Sequence, residues 1–199
     1  MSIDQAKSIP AVAFNVPNQL TALRLLVAVV MFVLLPLGYY AASLVLFVIA
    51  AATDWLDGWY ARRYGQVTTL GRILDPFADK VIVCGTFIYL LAAPGMAAVP
   101  WGLRAWMVVV IVGRELLVTA LRGFLEERGA DFSAKMSGKL KMGFQCAAAI
   151  AALCLLSYPQ AVPAWVEGVF VVALWIALLL TIYSGLIYVT RALRLLYPG

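Results

Sequence analysis

The sequence predicts an all-α integral membrane protein with six transmembrane helices and both termini in the cytoplasm. Three observations carry that prediction. Hydrophobic residues make up 64% of the 199-residue chain and charged residues 13%, against about half and about a quarter in an ordinary soluble domain. Apolar runs near the length of about 20 residues that a spanning helix needs recur along the chain, too long and continuous for the alternating strands of a β-barrel. Of fifteen Lys and Arg residues, all but Arg104 fall at the N-terminus, the 60–80 connection, the 114–141 connection or the C-terminus. By the positive-inside rule those four regions share the cytoplasmic side.

The elements follow in order. Residues 1–14 are short and mildly polar and lack the basic start and cleavage site of a signal peptide, so they read as an arm outside a single 15–199 domain. Pro17 suits a helix start, and an apolar run continues to Gly38. Asn18, Thr21 and Arg24 recur at i, i+3 and i+6, which places them on one face near the membrane entrance. A capping role with a snorkelling Arg explains the same spacing. The second span runs from about Tyr39 to Trp59, and 63–73 is a short polar connection. The third starts near Asp75, with Pro76 tolerated in its first turn, and ends near Ala93, before Pro94, Gly95 and Pro100. The fourth runs from about Trp101 to Arg114 and continues as a helix to Glu127. The fifth covers about Met142 to Leu156, and the sixth about Val166 to Tyr188, closed by Arg191 and Arg194.

Composition narrows the chemistry. The chain has no histidine, which excludes histidine metal sites, Ser-His-Asp catalysis and a histidine nucleophile. Cys84, Cys146 and Cys154 lie inside apolar runs with no metal or redox spacing and read as small buried residues. The net charge of +5 suits an anionic inner leaflet. Nucleic acid is a poor partner, because the basic residues hug the membrane boundaries.

Residues 54–79, DWLDGWYARRYGQVTTLGRILDPFAD, hold Asp54, Asp57, Asp75 and Asp79. A carboxylate within a membrane segment costs about 2.5–3.5 kcal/mol on insertion scales, so four at one level need a compensating positive charge. Arg62, Arg63, Arg72 and Lys80 supply some of it; a divalent cation does so better. Mg²⁺ takes carboxylate oxygens and shares its coordination sphere with substrate phosphates. Asp54 and Asp57 are i, i+3 and Asp75 and Asp79 are i, i+4, so each pair shares a helix face. Gly58 permits close approach of a ligand to the backbone, Ala61 and Gly71 keep those faces open, and Arg62 is placed to meet a phosphate. The residues therefore predict a metal-assisted phosphoryl-type reaction at a membrane surface.

A second polar cluster spans 114–141. Arg114, Glu115, Thr119 and Arg122 recur at helical spacing, and Lys135, Lys139 and Lys141 follow. A positive loop that sets topology accounts for the charges; a pocket for an anionic acceptor does so too, with a fixed Arg114 able to hold a phosphate monoester.

Written as a pattern, Asp54-x2-Asp57-Gly58-x2-Ala61-Arg62-x8-Gly71-x3-Asp75-x3-Asp79 resembles the complete signature of the CDP-alcohol phosphotransferases. The resemblance implies a six-helix membrane fold, usually a homodimer, that transfers a substituted phosphate from a CDP-linked donor to an alcohol with release of CMP. It implies Mg²⁺ or Mn²⁺ held by Asp54, Asp57, Asp75 and Asp79, two ions being the expected number, with Asp79 as general base. It places Asn18, Thr21, Gly58, Ala61, Arg62, Thr68 and Gly71 around the nucleotide. The stretch from Arg114 to Arg122, with Glu127-Arg128-Gly129 and Gly138-Lys139-Leu140-Lys141, is similar to the branch that makes phosphatidylglycerophosphate. That similarity implies CDP-diacylglycerol as donor in the inner membrane of a bacterium, glycerol 3-phosphate as acceptor, and Arg114, Arg122, Lys139 and Lys141 as its phosphate ligands. Serine, inositol phosphate and phosphatidylglycerol are the other acceptors. A cation transporter using the Asp cluster is the reading from another class; it would need polar groups continuing through the bilayer, and the third, fifth and sixth spans offer few.

Overall fold

The computed structural model describes the backbone of residues 16–64, 69–126 and 136–196, and the side chains of 19–53, 74–123 and 140–194. Among the described residues there are six α-helices and no strand: α1 (Val16–Leu34), α2 (Tyr40–Tyr64), α3 (Thr69–Ala92), α4 (Ala105–Glu126), α5 (Met136–Ser157) and α6 (Ala164–Leu196), with a 3₁₀ turn at Met96–Ala98. The predicted arm, residues 1–14, lies outside the described residues.

Several boundaries differ from the sequence expectation for local physical reasons. α1 stops at Leu34 rather than near Gly38 because Pro36 disfavours helical backbone in the residue before it. The chain then turns through Gly38, whose φ of 80° suits a residue without Cβ. α2 continues to Tyr64 and α3 begins at Thr69, so the polar connection is much shorter than 63–73. Ala61, Arg62 and Arg63 have good helix propensity and no breaker follows Gly58 before Tyr64. Pro76 consequently lies inside α3 and not in its first turn. α4 starts at Ala105, after Trp101, whose φ is 57°. α5 starts at Met136, which draws Lys139 and Lys141 from the connection into the helix.

Helix α3 is the spine, packed against α1, α2, α4 and α5. Thr21 meets Asp75, Arg24 meets Asp79 and Phe32 stacks on Tyr89 at 5.4 Å, so α1 and α3 run parallel. Gly85 makes that crossing close, since a Cβ there would collide with the Phe32 ring. Arg114 meets Ser184 and Trp106 meets Trp175 at 6.2 Å, so α4 and α6 also run parallel. The core between the helices is apolar and includes Met31, Phe47, Phe87, Ile111, Leu153 and Phe170, each 2% exposed or less.

The outer surface is equally apolar: Leu26, Val29, Val45, Val109, Leu179 and Leu186 are all more than half exposed. So much exposed aliphatic surface is what lipid tails, not water, would cover. Leu140–Ser157 and Ala164–Arg194 are long and apolar enough to cross a membrane, and α1 and α2 carry shorter apolar stretches, Gln19–Leu34 and Tyr40–Thr53. Charged residues interrupt α3 and α4. The ends away from these charges carry exposed Tyr39, Trp101, Trp106, Tyr158 and Trp165, the residue types that collect where a bilayer meets water. The chain is therefore a membrane-capable helical bundle with an aromatic end and a charged end.

Candidate active site

The charged end is built from the first turns of α1, α3 and α5 and the last turns of α2, α4 and α6. Its first half lies between α1 and α3. Thr21 is fully buried and its hydroxyl donates to Asp75 Oδ1. One turn on, Arg24 is 2% exposed and its Nη1 donates to Asp79 Oδ1 at 3.0 Å. An i, i+3 pair on one helix thus meets an i, i+4 pair on its neighbour. Arg24 does not snorkel; a cation is held inside the bundle by a carboxylate one quarter exposed.

Asp54, Asp57, Gly58, Ala61 and Arg62 belong to the last turns of α2, Asn18 to α1, Gly71 to α3 and Lys139 to α5, but their side chains lie outside the described residues, as does Thr68 altogether. The backbone of α2 is one continuous helix through both Asp54 and Asp57, which keeps that pair at i, i+3. No group of three potential metal ligands occurs among the described residues. Asp75 and Asp79 offer oxygen donors only, one helical turn apart, which is the donor type a hard divalent cation takes.

The second half lies across α3, between α4, α5 and α6. Lys80 directly follows Asp79, and one residue of helix turns the side chain through about 100°. It therefore leaves α1 and donates to the Thr119 hydroxyl on α4. One turn earlier on α4, buried Glu115 accepts from Lys141 Nζ on α5 and, at 3.3 Å, from Arg114 Nη1. Arg114 Nη2 also donates to Ser184 Oγ on α6 at 2.9 Å, and its guanidinium lies 5.7 Å from the centre of the Tyr188 ring. Arg122 is exposed one turn beyond Thr119. Of the acceptor-phosphate candidates, the structure joins Arg114 and Lys141 through Glu115 and leaves Arg122 at the surface.

Beyond the residues that the resemblance assigns, the site uses five more, Arg24, Lys80, Glu115, Thr119 and Ser184, the first four of which the sequence marks by charge or spacing. Arg24 shares the face of Thr21, and its spacing was the available signal. Lys80 and Thr119 had weaker signals, adjacency to Asp79 and the helical repeat on α4. Ser184 had none, because a serine in an apolar helix becomes a partner only once α6 lies against α4.

A family model described as CDP-alcohol phosphatidyltransferase matches residues 14–183. A CDP-diacylglycerol–glycerol-3-phosphate 3-phosphatidyltransferase of Bacillus subtilis (strain 168) is 36% identical over 203 residues, covering 89% of this chain and 95% of the relative. The enzyme of the same name in Escherichia coli (strain K12) is 36% identical over 190 residues, covering 90% and 95%. That of Pseudomonas fluorescens is 36% identical over 184 residues, covering 89% and 90%.

Proposed function

The chain belongs to the CDP-alcohol phosphatidyltransferase family, and we propose that it transfers the phosphatidyl group of CDP-diacylglycerol to glycerol 3-phosphate, releasing CMP and forming phosphatidylglycerophosphate. The observation that carries this reading is the pairing of two sites across one helix. Asp75 and Asp79 face α1, while Lys80 faces the Arg114–Glu115–Lys141 cluster. In this reading the carboxylates facing α1 serve a cation and the diphosphate, and the cations on the other side of α3 serve a phosphate monoester. A serine acceptor has less need of so many cations.

The reaction moves one bond. A hydroxyl oxygen of glycerol 3-phosphate attacks the phosphorus that carries diacylglycerol, and the bond from that phosphorus to the CMP oxygen breaks. Asp79 is the carboxylate assigned to take the hydroxyl proton, as a positioned general base. Asp54, Asp57, Asp75 and Asp79 would hold Mg²⁺ or Mn²⁺, which when bound supplies charge neutralisation on the diphosphate and the leaving CMP. Thr21 and Arg24 fix the two α3 carboxylates in place. Asn18, Gly58, Ala61, Arg62, Thr68 and Gly71 are assigned to the nucleotide, and Arg114, Arg122, Lys139 and Lys141 to the acceptor phosphate. The acyl chains stay in lipid between the exposed apolar faces. In this reading six helices span a bacterial inner membrane, the charged end faces the cytoplasm with both termini, and the protein works as a homodimer.

The test is CMP release by the purified protein from CDP-diacylglycerol and Mg²⁺, with glycerol 3-phosphate, serine, inositol phosphate and phosphatidylglycerol offered separately. Release with glycerol 3-phosphate alone is expected. Release with a different acceptor would overturn the acceptor assignment and keep the α1–α3 site.

A further inference from the structure

We infer that Glu115 is a positioning residue for the acceptor: it holds Arg114 and Lys141 as a preassembled pair of cations, and through them sets the affinity for glycerol 3-phosphate. The inference rests on the reaction proposed above.

The observation is a carboxylate where a phosphate site would least want one. Glu115 is 8% exposed and Lys141 5% exposed. One oxygen, Glu115 Oε1, receives both the Lys141 ammonium and Arg114 Nη1. That atom ties α4 to α5 across 26 residues of sequence. Arg114 is held independently from α6, by Ser184 and the Tyr188 ring. Gly185 leaves room for its stem, because a Cβ there would stand 3.2 Å from Arg114 Cγ. The guanidinium is therefore oriented from two helices, while its buried Nε has no hydrogen-bond partner. An arginine so constrained keeps its charge in one fixed orientation.

Two further considerations separate positioning from mere stability. Buried ion pairs contribute little net stability, and apolar replacements often do as well. A carboxylate also repels an anionic substrate. Both count against Glu115 unless its geometry is useful. Two cations placed side by side in a low-dielectric site repel each other, and a carboxylate between them offsets that repulsion and keeps them adjacent. Phosphate recognition by a planar guanidinium depends on that orientation. With Arg114, Lys141, Lys80 and Arg122 set against Glu115, the described cluster still carries an excess of positive charge for a phosphate dianion.

The experiment compares the full-length wild type with Glu115→Gln and Glu115→Asp, with steady-state CMP release measured against each substrate in turn. Glu115→Gln keeps the size and a hydrogen-bond acceptor but removes the charge. It is expected to raise KM for glycerol 3-phosphate about tenfold or more, with kcat and KM for CDP-diacylglycerol within about twofold of wild type. Glu115→Asp keeps the charge and recovers part of that loss. A fall in kcat with an unchanged acceptor KM, or an equal rise in both KM values, would overturn the inference, as would Asp and Gln variants that behave alike. Wild-type protein that released CMP with other acceptors but not with glycerol 3-phosphate would sink the underlying reaction instead.

Discussion

The Arg24–Asp79 pair is the sharpest test of how α1 and α3 are held together. Arg24 is 2% exposed and lies 3.0 Å from Asp79, whose carboxylate is 25% exposed. Removing one member of a buried pair costs about 3–5 kcal/mol, because a charge is left behind without its partner. The partial exposure of Asp79 puts Arg24→Met near the lower end, about 3 kcal/mol. In a chain of this size 1 kcal/mol corresponds to about 2–4 °C, so Tm should fall by roughly 6–12 °C. The assay is thermal unfolding in detergent of Arg24→Met, Asp79→Asn and the double variant. Since the double variant removes both charges together, its loss should be smaller than the sum of the single losses by about 1–3 kcal/mol. Losses that add to within about 0.5 kcal/mol would refute the coupling. The α1–α3 contact would then rest on packing alone.

Three other expectations follow from the same structure. Gly85→Val drives a side chain into the Phe32 ring, which stacking on Tyr89 keeps from yielding; it should lower stability by about 1–3 kcal/mol and reduce CMP release, read by thermal unfolding and turnover. Gly185→Val crowds the Arg114 stem, now 3.2 Å from where a Cβ would lie, and should raise KM for glycerol 3-phosphate more than KM for CDP-diacylglycerol. Stripping divalent ions with EDTA should abolish CMP release and Mg²⁺ should restore it, whereas Asp79→Asn should stay inactive with Mg²⁺ while remaining in the membrane fraction; activity that survives EDTA would remove the metal from the mechanism.

Much of the bundle was legible in the sequence because helices are local. Apolar runs between breakers such as Pro36, Pro94, Pro159 and Pro163 determine where helices lie to within a turn or two. The gathering of basic residues at alternate boundaries separates the charged end from the aromatic one. Boundaries were least legible where no breaker intervenes. Thus α2 ran on past Trp59, α3 started before Asp75 and α5 started before Met142. Nothing in a short polar stretch says whether it will be a loop or one more helical turn.

The two carboxylate pairs could be set on helix faces by spacing alone, since i, i+3 and i, i+4 positions adjoin on any helix. Spacing cannot say which cation answers which carboxylate. Arg24 and Asp79 are 55 residues apart, and Glu115 and Lys141 are 26 apart. Those partners are selected by the parallel crossing of α1 and α3 and by the seating of α4 against α5 and α6. The sequence by itself determined a helical membrane-capable chain with acidic and basic clusters at one end. Only the tertiary structure decided that Asp79 faces α1 while Lys80 faces α4. The physical reason is that neighbouring residues on a helix point about 100° apart, so what each meets depends on which helix is packed there.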